Sequence, residues 1–385
     1  MMRLAIVASH PIQYQAPLFR ELARLLDLMV FFGHRSTPED QAAAGFGVGF
    51  EWDVDLLSGY QHRFLDNMAK PAGLGRFAGV DTPEVGDRLR EGRFDAVLTM
   101  GWSFKCFFQT ILAAKHLGIP VLVRGDSHLD TPRSRLKRVG KTFVYPPFLR
   151  LFDAALYVGC RSRQYYEHYR YPSERLFFSP HCVDTRWFEQ RADSNAGERL
   201  RSRLGIAAQE KVVLFAGKLL PFKRPLDVID ACAGLKTDAI RAHLLIAGSG
   251  ELERTMRDRA EAARVPLHLL GFQNQTDMPA VYTAADLLVL PSDGRETWGL
   301  VANEALACGC PIVVSDACGC AADLAADGRA GRVFPVSDMG ALTRVLALVL
   351  ESPPTLGDIV EKSRAYSVAA AAAGVYDAVA CSTRR

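Results

Sequence analysis

The chain has 385 residues, of which 49% are hydrophobic and 23% charged, a composition typical of a soluble globular protein. The length favours two domains, and a formal net charge of +3 gives no support to nucleic-acid binding, which needs a concentrated basic face. Nine cysteines without a secretory framework indicate a reducing cytoplasm. No segment is apolar for long enough to span a bilayer, and the short apolar run before His10-Pro11 predicts a buried strand rather than a signal peptide.

Short apolar runs alternate with helical patterns along the whole chain, which predicts parallel α/β layers. In the first half, strands are predicted at 4–8, 28–32, 96–100, 121–123 and 154–158, and helices at 17–26, 104–117 and 161–169. Residues 33–79 are Gly-rich and irregular. We interpret them as an insertion over the cleft of the first domain, with residues 50–55 forming an edge strand.

The alternation begins again in the second half. Strands are predicted at 211–217, 242–247, 267–270, 286–290, 311–314 and 332–334, and the clearest helices at 250–263 and 300–307. Two such series predict two doubly wound, Rossmann-like domains, at 1–184 and 185–365, that face each other across a cleft. Residues 366–385 form a final segment, in which the helix pattern at 368–380 is the candidate to cross back to the first domain.

Two acids, Glu296 and Glu304, are separated by seven residues. Glu296 follows a strand pattern and a Ser-Asp-Gly turn, and Glu304 lies in a predicted helix that begins near Gly299. Eight residue steps at about 100° leave the two positions roughly 80° apart, so both acids are expected on one side. Carboxylates accept hydrogen bonds from sugar hydroxyls, and the N–H groups of a helix N-terminus bind phosphate, so the pattern suits a sugar phosphate ester. The alternative is an exposed helix with solvated acids.

The residues around these acids resemble the retaining glycosyltransferases of family 4, which have the GT-B fold of two Rossmann-like domains. One motif is Glu296-Thr-Trp-Gly-x4-Glu-Ala, and the second runs from Phe215 to Pro225 with Lys218 and Lys223. In the family, two cations of the second motif bind the donor diphosphate. Lys218 stands where the family usually has Arg, which keeps the charge but loses the bidentate fork.

The resemblance implies a donor site in the second domain, in which Glu296 holds hydroxyls of the transferred sugar, Glu304 holds the ribose, and backbone N–H groups near Trp298–Val301 bind phosphate. Lys223 and Glu296 are the catalytic candidates there. The donor-binding residues implied are Gly217, Lys218, Lys223, Gly248, Gly271, Phe272, Glu296, Thr297, Trp298, Gly299, Leu300, Val301 and Glu304. For Gly248 and its neighbours, a tight turn without a ligand is an equal alternative.

In the first domain, the family places a His about six residues after the Pro that opens one strand. That position is Asp126 here, and His128 follows two residues later. A carboxylate there could stabilise an oxocarbenium-like transition state or orient the acceptor, so Asp126 and His128 are catalytic candidates. A helix cap at Asp126 is the alternative. His10, Gly101 and Trp102 follow other strands and are candidates for the acceptor side.

Two further stretches bear on metal binding and on membrane contact. The pairs Cys308-Gly-Cys310 and Cys318-Gly-Cys320 lack the C-x2-C spacing of zinc ribbons, so buried thiols are favoured and no metal is expected. The segment Arg133–Arg150 holds six basic residues and no acid, which suits an anionic lipid surface, a lipid-diphosphate acceptor or a solvated helix face.

The residues and the resemblance together predict a glycosyltransferase that moves a hexosyl-type sugar from a nucleotide-diphosphate sugar to a hydroxyl acceptor. The resemblance further implies that the enzyme retains the configuration at the anomeric carbon and needs no metal. The acceptor is a glycan, a lipid-linked molecule or a small molecule, as in glycan, exopolysaccharide, lipopolysaccharide or glycoconjugate synthesis. No cofactor and no nucleic-acid partner are expected. The expected localisation is the cytoplasm, with peripheral contact at the inner face of the membrane through Arg133–Arg150. The alternatives are a GT-B relative such as a nucleotide-sugar epimerase, and a non-catalytic sugar-nucleotide-binding partner.

Overall fold

The computed structural model describes residues 1–42, 45, 47–235 and 242–383. Residues 43, 44 and 46 of the predicted insertion, and the last two residues of the predicted segment 366–385, lie outside the described residues. The chain forms two compact units. The first comprises residues 1–40, 54–181 and the described residues from Val368 onward, and the second comprises the described residues of 41–53 and 182–367.

The first unit is built on a parallel sheet. Its strands are β1 (Arg3–Ala8), β2 (Asp27–Phe32), β3 (Gln61–Phe64), β4 (Ala96–Thr99), β5 (Val121–Gly125), β6 (Ala154–Tyr157) and β7 (Leu176–Phe178). The helices between them are α1 (Ala16–Leu25), α2 (Pro38–Gln41), α3 (Val85–Gly92), α4 (Lys105–Leu117), α5 (Arg135–Leu149) and α6 (Cys160–His168). The strand order is β3-β2-β1-β4-β5-β6-β7, so the winding reverses between β1 and β4. Ligands of such sheets bind at the carboxyl ends of the strands beside this reversal.

The central strands form because they are short, apolar and covered on both faces, as parallel strands require. Val97, Val121 and Val123 are fully buried and belong to one hydrophobic core with Phe107 of α4 and Phe152. Every pairing between neighbouring strands of this sheet is parallel.

The prediction of an edge strand at residues 50–55 is wrong, because the edge strand of this sheet is β3 at Gln61–Phe64. The sequence hides β3 because Gln61, His62 and Arg63 are all exposed, so no apolar alternation marks it. The short strand β7 at the other edge was not predicted either.

The second unit repeats the design. Its strands are β8 (Lys211–Ala216), β9 (Ala242–Ala247), β10 (Leu267–Leu269), β11 (Leu287–Leu290), β12 (Ile312–Ser315) and β13 (Gly331–Phe334). Its helices are α7 (Thr185–Arg191), α8 (Ser194–Arg203), α9 (Pro225–Gly234), α10 (Glu253–Ala263), α11 (Met278–Ala284), α12 (Leu300–Ala307), α13 (Met339–Glu351) and α14 (Leu356–Ala365). The order β10-β9-β8-β11-β12-β13 places the reversal between β8 and β11.

The described residues of 41–53 lie on the second unit, although the sequence predicted an insertion of the first domain. The physical reason is a set of contacts to the loop after β10. The Phe50 ring packs on Phe272 with centroids 4.2 Å apart, and the side chain of Asp53 accepts a hydrogen bond from the backbone N–H of Thr276. The aromatic contact buries apolar surface that an irregular segment would otherwise expose.

The last helix, α15 (Val368–Thr383), packs on the first unit, where it contacts α1 and β7. The hydroxyl of Ser179 donates to the carbonyl of Ala371 at 2.9 Å. Gly374 is needed for this packing, because a Cβ there would lie 1.8 Å from the carbonyl oxygen of Phe178. Within the described part of the chain, no helix is long and apolar enough to cross a membrane.

Candidate functional site

The loops after β8 and β11, on either side of the reversal in the second sheet, bring two predicted site residues together. Lys223 ends a single 3-10 turn at Pro221–Lys223, and its ammonium group forms an ion pair with the carboxylate of Glu296. Both side chains are mostly buried, with 16% and 13% of their surfaces exposed. The hydroxyl of Ser292 donates to the same carboxylate at 3.2 Å. Water screens a pair this buried only weakly, so the two charged groups hold each other in place.

Lys218 supplies a second positive charge at this site. Partial burial and the nearby Lys223 ammonium lower the pKa of Lys218, while the Glu296 carboxylate opposes this effect. Two cations that repel each other form a ready site for an anion, because a bound anion relieves the repulsion. The third cation of this stretch, Arg224, is engaged elsewhere, since its guanidinium donates to Asp227 at 2.6 Å.

Glu296 lies in the loop before α12 rather than in the helix. The angle of roughly 80° expected for Glu296 and Glu304 is therefore wrong, since it assumed that both residues are helical. The cause is Gly299, the N-cap residue of α12. Its φ of +101° lies in the left-handed region that favours glycine. A side chain there would also meet Leu290 at 2.3 Å. Because Glu296 precedes this turn, it lies in the loop before α12, where its carboxylate contacts Lys223.

Glu304, on α12, faces Tyr282 of α11. The Tyr282 hydroxyl donates to the Glu304 carboxylate at 2.6 Å. Burial raises the pKa of Glu304 to about 7, although the hydrogen bond from Tyr282 acts in the opposite direction. The group therefore changes its charge near neutral pH, and a ligand that binds only the carboxylate would draw a proton off it.

The loop after β12 holds the backbone between the two acids through hydrogen bonds. The N–H groups of Gly319 and Cys320 donate to the carbonyls of Glu296 and Trp298. The Trp298 side chain is buried, and its indole donates to Asn303 at 2.7 Å, so Trp298 can reach a ligand only through its backbone. Thr297 belongs to the same turn. A Cβ at Gly319 would lie 1.8 Å from the carbonyl oxygen of Thr297, which shows how closely the two loops approach.

The N-terminus of α12 begins with Leu300 and Val301. Within the described ranges, no side chain caps this helix. The first backbone N–H groups of a helix lack intrahelical partners and carry the positive end of the helix dipole. The first of these N–H groups, that of Leu300, comes four residues after Glu296 in the chain, so a carboxylate and N–H donors lie in one short segment.

The glycines of three neighbouring loops have packing roles. The backbone N–H groups of Gly217 and Gly248 donate to the carbonyls of Ala247 and Gly271, and so join the loops after β8, β9 and β10. A Cβ on Gly248 would lie 1.9 Å from the carbonyl oxygen of Gly217. Gly248 thus has a structural reason to be glycine whether or not it meets a ligand. Phe272, after Gly271, is the residue that packs on Phe50.

In the first unit, the strand ends form an open polar pocket. Three predicted residues, Gly101, Trp102 and Asp126, line it. The sequence did not single out the other polar lining residues, Tyr14, Gln15, Ser103, Arg124, Ser127 and His181. His181 follows β7 in the chain. Its proximity to the end of β5 arises because the backbone after β7 returns to the sheet.

Buried polar groups shape this pocket. Arg124 donates to the hydroxyl of Ser179 and to the carbonyl of Pro180, which fixes the segment that carries His181. The imidazole of His181 lies 3.8 Å from the Asp126 carboxylate, and burial lowers the pKa of His181. The side-chain carbonyl of Gln15 is buried with no hydrogen-bond partner among the described residues. An acceptor atom of this kind calls for a donor from a ligand or from water.

His10 and His128 do not line the pocket, although both are described residues. His128 is only 1% exposed, with its ring near Asp130 and Thr131, and burial lowers its pKa. His10 accepts or donates a hydrogen bond with the Ser9 hydroxyl, and burial together with nearby His34 lowers its pKa to about 4. Both rings are therefore neutral at physiological pH.

The thiols of the two Cys-Gly-Cys motifs pack in the second unit. Cys310, Cys318 and Cys320 are buried, and burial raises the pKa of Cys310 and Cys320. A zinc site would need thiolates, which burial disfavours. Among the described residues, no group of three or more His, Cys, Asp or Glu side chains is placed to hold a metal ion.

The chain resembles known glycosyltransferases in sequence and in fold. Residues 197–366, all in the second unit, match the family described as Glycosyl transferases group 1. The D-inositol 3-phosphate glycosyltransferase of Corynebacterium glutamicum is 32% identical over 266 residues, which cover 65% of this chain and 61% of that protein. This chain matches less than two thirds of the length of such curated relatives.

Solved structures share the fold over nearly the whole chain. HepE of Anabaena, in complex with UDP and glucose, gives a TM-score of 0.70 at 15% identity and covers 99% of this chain and 100% of its own. Sucrose-phosphate synthase of Thermosynechococcus elongatus also gives 0.70, at 18% identity, with 97% of each chain covered. The predicted fold class is confirmed as GT-B.

Proposed function

We propose that this protein is a retaining glycosyltransferase that transfers a hexosyl-type sugar from a nucleotide-diphosphate sugar to a hydroxyl acceptor. The observation that carries the proposal is the buried ion pair of Lys223 and Glu296, with Lys218 beside it and the uncapped start of α12 next in the chain. These groups bind an anion and sugar hydroxyls at one place. The group 1 family of this domain, and a structural neighbour that holds UDP and glucose, support a nucleotide-sugar donor.

The donor diphosphate is proposed to bind Lys218, Lys223 and the first N–H groups of α12. When the glycosidic bond breaks, negative charge builds up on the departing diphosphate, and fixed cations and N–H dipoles stabilise it. Two ammonium groups thereby do what a divalent cation does in other transferases, so the reaction needs no metal. Glu296 already holds Lys223 in place before the donor arrives, which limits the reorganisation that the reaction requires.

The two acids have different roles in this proposal. Glu296 accepts hydrogen bonds from hydroxyls of the transferred sugar, while its pairing with Lys223 keeps it oriented. Glu304 accepts from the ribose hydroxyls as a carboxylate. Because the pKa of Glu304 is raised to about 7, donor binding near neutral pH releases part of a proton.

The pocket of the first unit is proposed to bind a polyhydroxylated acceptor, whether glycan, lipid-linked or small molecule. The unpartnered carbonyl of buried Gln15 provides an acceptor for one hydroxyl. The Asp126 carboxylate, with 44% of its side chain exposed, is accessible to orient another or to stabilise positive charge. Named relatives act on an inositol phosphate, which is a polyhydroxylated molecule of this kind.

A panel of UDP-, GDP- and dTDP-sugars tests the proposal. The donor should raise the unfolding temperature by mass action, and adding a suitable acceptor, with inositol phosphates in the first panel, should release the nucleotide diphosphate. Proton NMR should show that the new glycoside keeps the anomeric configuration of the donor. Inverted configuration would refute the retaining mechanism. Conversion of the donor to another nucleotide sugar without acceptor would indicate an epimerase, and binding without turnover would indicate a non-catalytic partner.

A further inference from the structure

Helix α5 exposes large apolar side chains in the first unit. Leu136 is 86% exposed, Phe143 76%, Val144 61% and Val139 57%. All residues from Ser134 to Gly140 are exposed, so the first half of the helix projects from the surface. Single exposed apolar residues are ordinary, but four on one helix form a continuous patch that needs a reason.

The patch lies on the side of α5 that faces away from the core. Tyr145, Phe148 and Leu149 pack into the hydrophobic core of the first unit. At about 100° per residue, the four exposed apolar residues span an arc of about 140°, centred about 160° away from those three. Ordinary amphipathic helices bury their apolar side, whereas α5 packs through one apolar side and presents a second one to solvent.

Basic residues flank the patch. Arg135 and Lys137 are exposed and fall within about 40° of its two edges. Arg138 and Arg150 are exposed as well, and there is no acid between residues 131 and 150. The nearest acid along the chain, Asp130, is paired with Arg161 at 3.1 Å. The patch therefore combines an apolar strip with a rim of positive charge.

We propose that α5 is a membrane-docking helix that lies in the surface plane of an anionic lipid bilayer. Leu136, Val139 and Phe143 enter the boundary between headgroups and acyl chains, while the flanking cations meet lipid phosphates. This is the arrangement by which helices bind bilayer surfaces without crossing them. The charged rim argues for an anionic lipid surface over a neutral apolar partner. The first unit would thereby be held at the membrane, where lipid-linked acceptors are found.

Sedimentation with lipid vesicles tests this proposal on the full chain and without any enzyme assay. The wild type should pellet with vesicles that contain 30–50% phosphatidylglycerol, on the order of the anionic content that such helices recognise, and stay in solution with pure phosphatidylcholine. Leu136→Ser/Phe143→Ser should lower the partition coefficient about tenfold or more, and Arg135→Gln/Lys137→Gln by a similar factor that vanishes at high salt. Leu112→Ser, at an equally exposed apolar site on α4 (69% exposed), is the matched control and should bind as the wild type does.

A fluorescence measurement gives a second reading. Phe143→Trp should show a blue shift on adding anionic vesicles and quenching by brominated acyl chains, while Leu112→Trp should show neither. Failure of the wild type to bind anionic vesicles, or equal binding by Leu136→Ser/Phe143→Ser with circular dichroism unchanged, would overturn the proposal. Self-association of the wild type that those substitutions abolish, with no vesicle binding, would assign the patch to a second copy of the chain and also overturn it.

Discussion

Replacing Glu304 by Gln should make the second unit more stable at alkaline pH. The carboxyl group has an ordinary pKa of 4.5 in the unfolded chain and about 7 in the folded one, because burial disfavours its charge. The folded state therefore holds the proton more tightly, and stability is lost as the pH rises from about 4.5 through 7. At 1.36 kcal/mol per pKa unit, the loss amounts to about 3 kcal/mol. Gln has no charge to bury and still offers an oxygen to the Tyr282 hydroxyl, so the substitution should remove this loss.

The assay is urea unfolding of wild type and Glu304→Gln between pH 5 and 8.5, followed by tryptophan fluorescence. The two proteins should differ little near pH 5, and Glu304→Gln should be about 3 kcal/mol more stable at pH 8.5. Glu261→Gln, at an exposed position of the same unit, is the control and should follow the wild type at every pH. If Glu304→Gln and wild type lost stability in parallel, Glu304 would have an ordinary pKa, and the raised pKa on which this prediction depends would be refuted.

Three further predictions concern turnover. Lys223→Ala should lower the turnover number about 10²–10³-fold, as removal of a transition-state charge partner does, while Arg224→Ala, whose cation pairs with Asp227, should keep most activity in the same steady-state assay. Asp126→Asn should leave donor affinity unchanged by calorimetry and lower turnover about 10²–10⁴-fold, since Asn has nearly the size of Asp but carries no charge. Full activity of Asp126→Asn would assign it a merely structural role. Turnover should survive excess EDTA, and its abolition would contradict the role given to the lysines.

Most of the fold could be predicted because its strands are buried on both faces. Such strands are continuous apolar runs, and β8 to β13 all fall within two residues of their predicted positions. Edge strands have no such signature. At β3, exposure of Gln61, His62 and Arg63 left nothing for a pattern to detect. The segment around Phe50 belongs to the second unit because Phe50 packs on Phe272, a contact between residues far apart in the chain.

The candidate site was predicted as far as local motifs reach. Lys223 and Glu296 were each found from their own motif, and their positions after β8 and β11 follow from parallel-sheet topology. The partners that set their chemistry were not found. Tyr282 donates a hydrogen bond to Glu304 from a different helix, and Ser292 was seen only as part of a turn. In both cases a side chain acts through tertiary packing, which no spacing in the sequence records.

The angle of roughly 80° expected between Glu296 and Glu304 is wrong because of a residue visible in the sequence, Gly299. Gly299 interrupts the helical periodicity because it adopts a φ of +101°, so the rotation per residue of a helix does not apply across it. Because glycine enters the left-handed region readily, the rotation of about 100° per residue applies only to the residues after Gly299.

The most direct test of the proposed donor site is a calorimetric titration with the nucleotide diphosphate of whichever donor the panel identifies. Wild type, Lys218→Ala and Asp126→Asn are compared at one pH and salt concentration. Lys218→Ala should weaken binding about tenfold or more, the usual value of a charged hydrogen bond, and Asp126→Asn should bind as the wild type does. Equal affinity of Lys218→Ala and wild type would contradict the assignment of the diphosphate to the loop after β8.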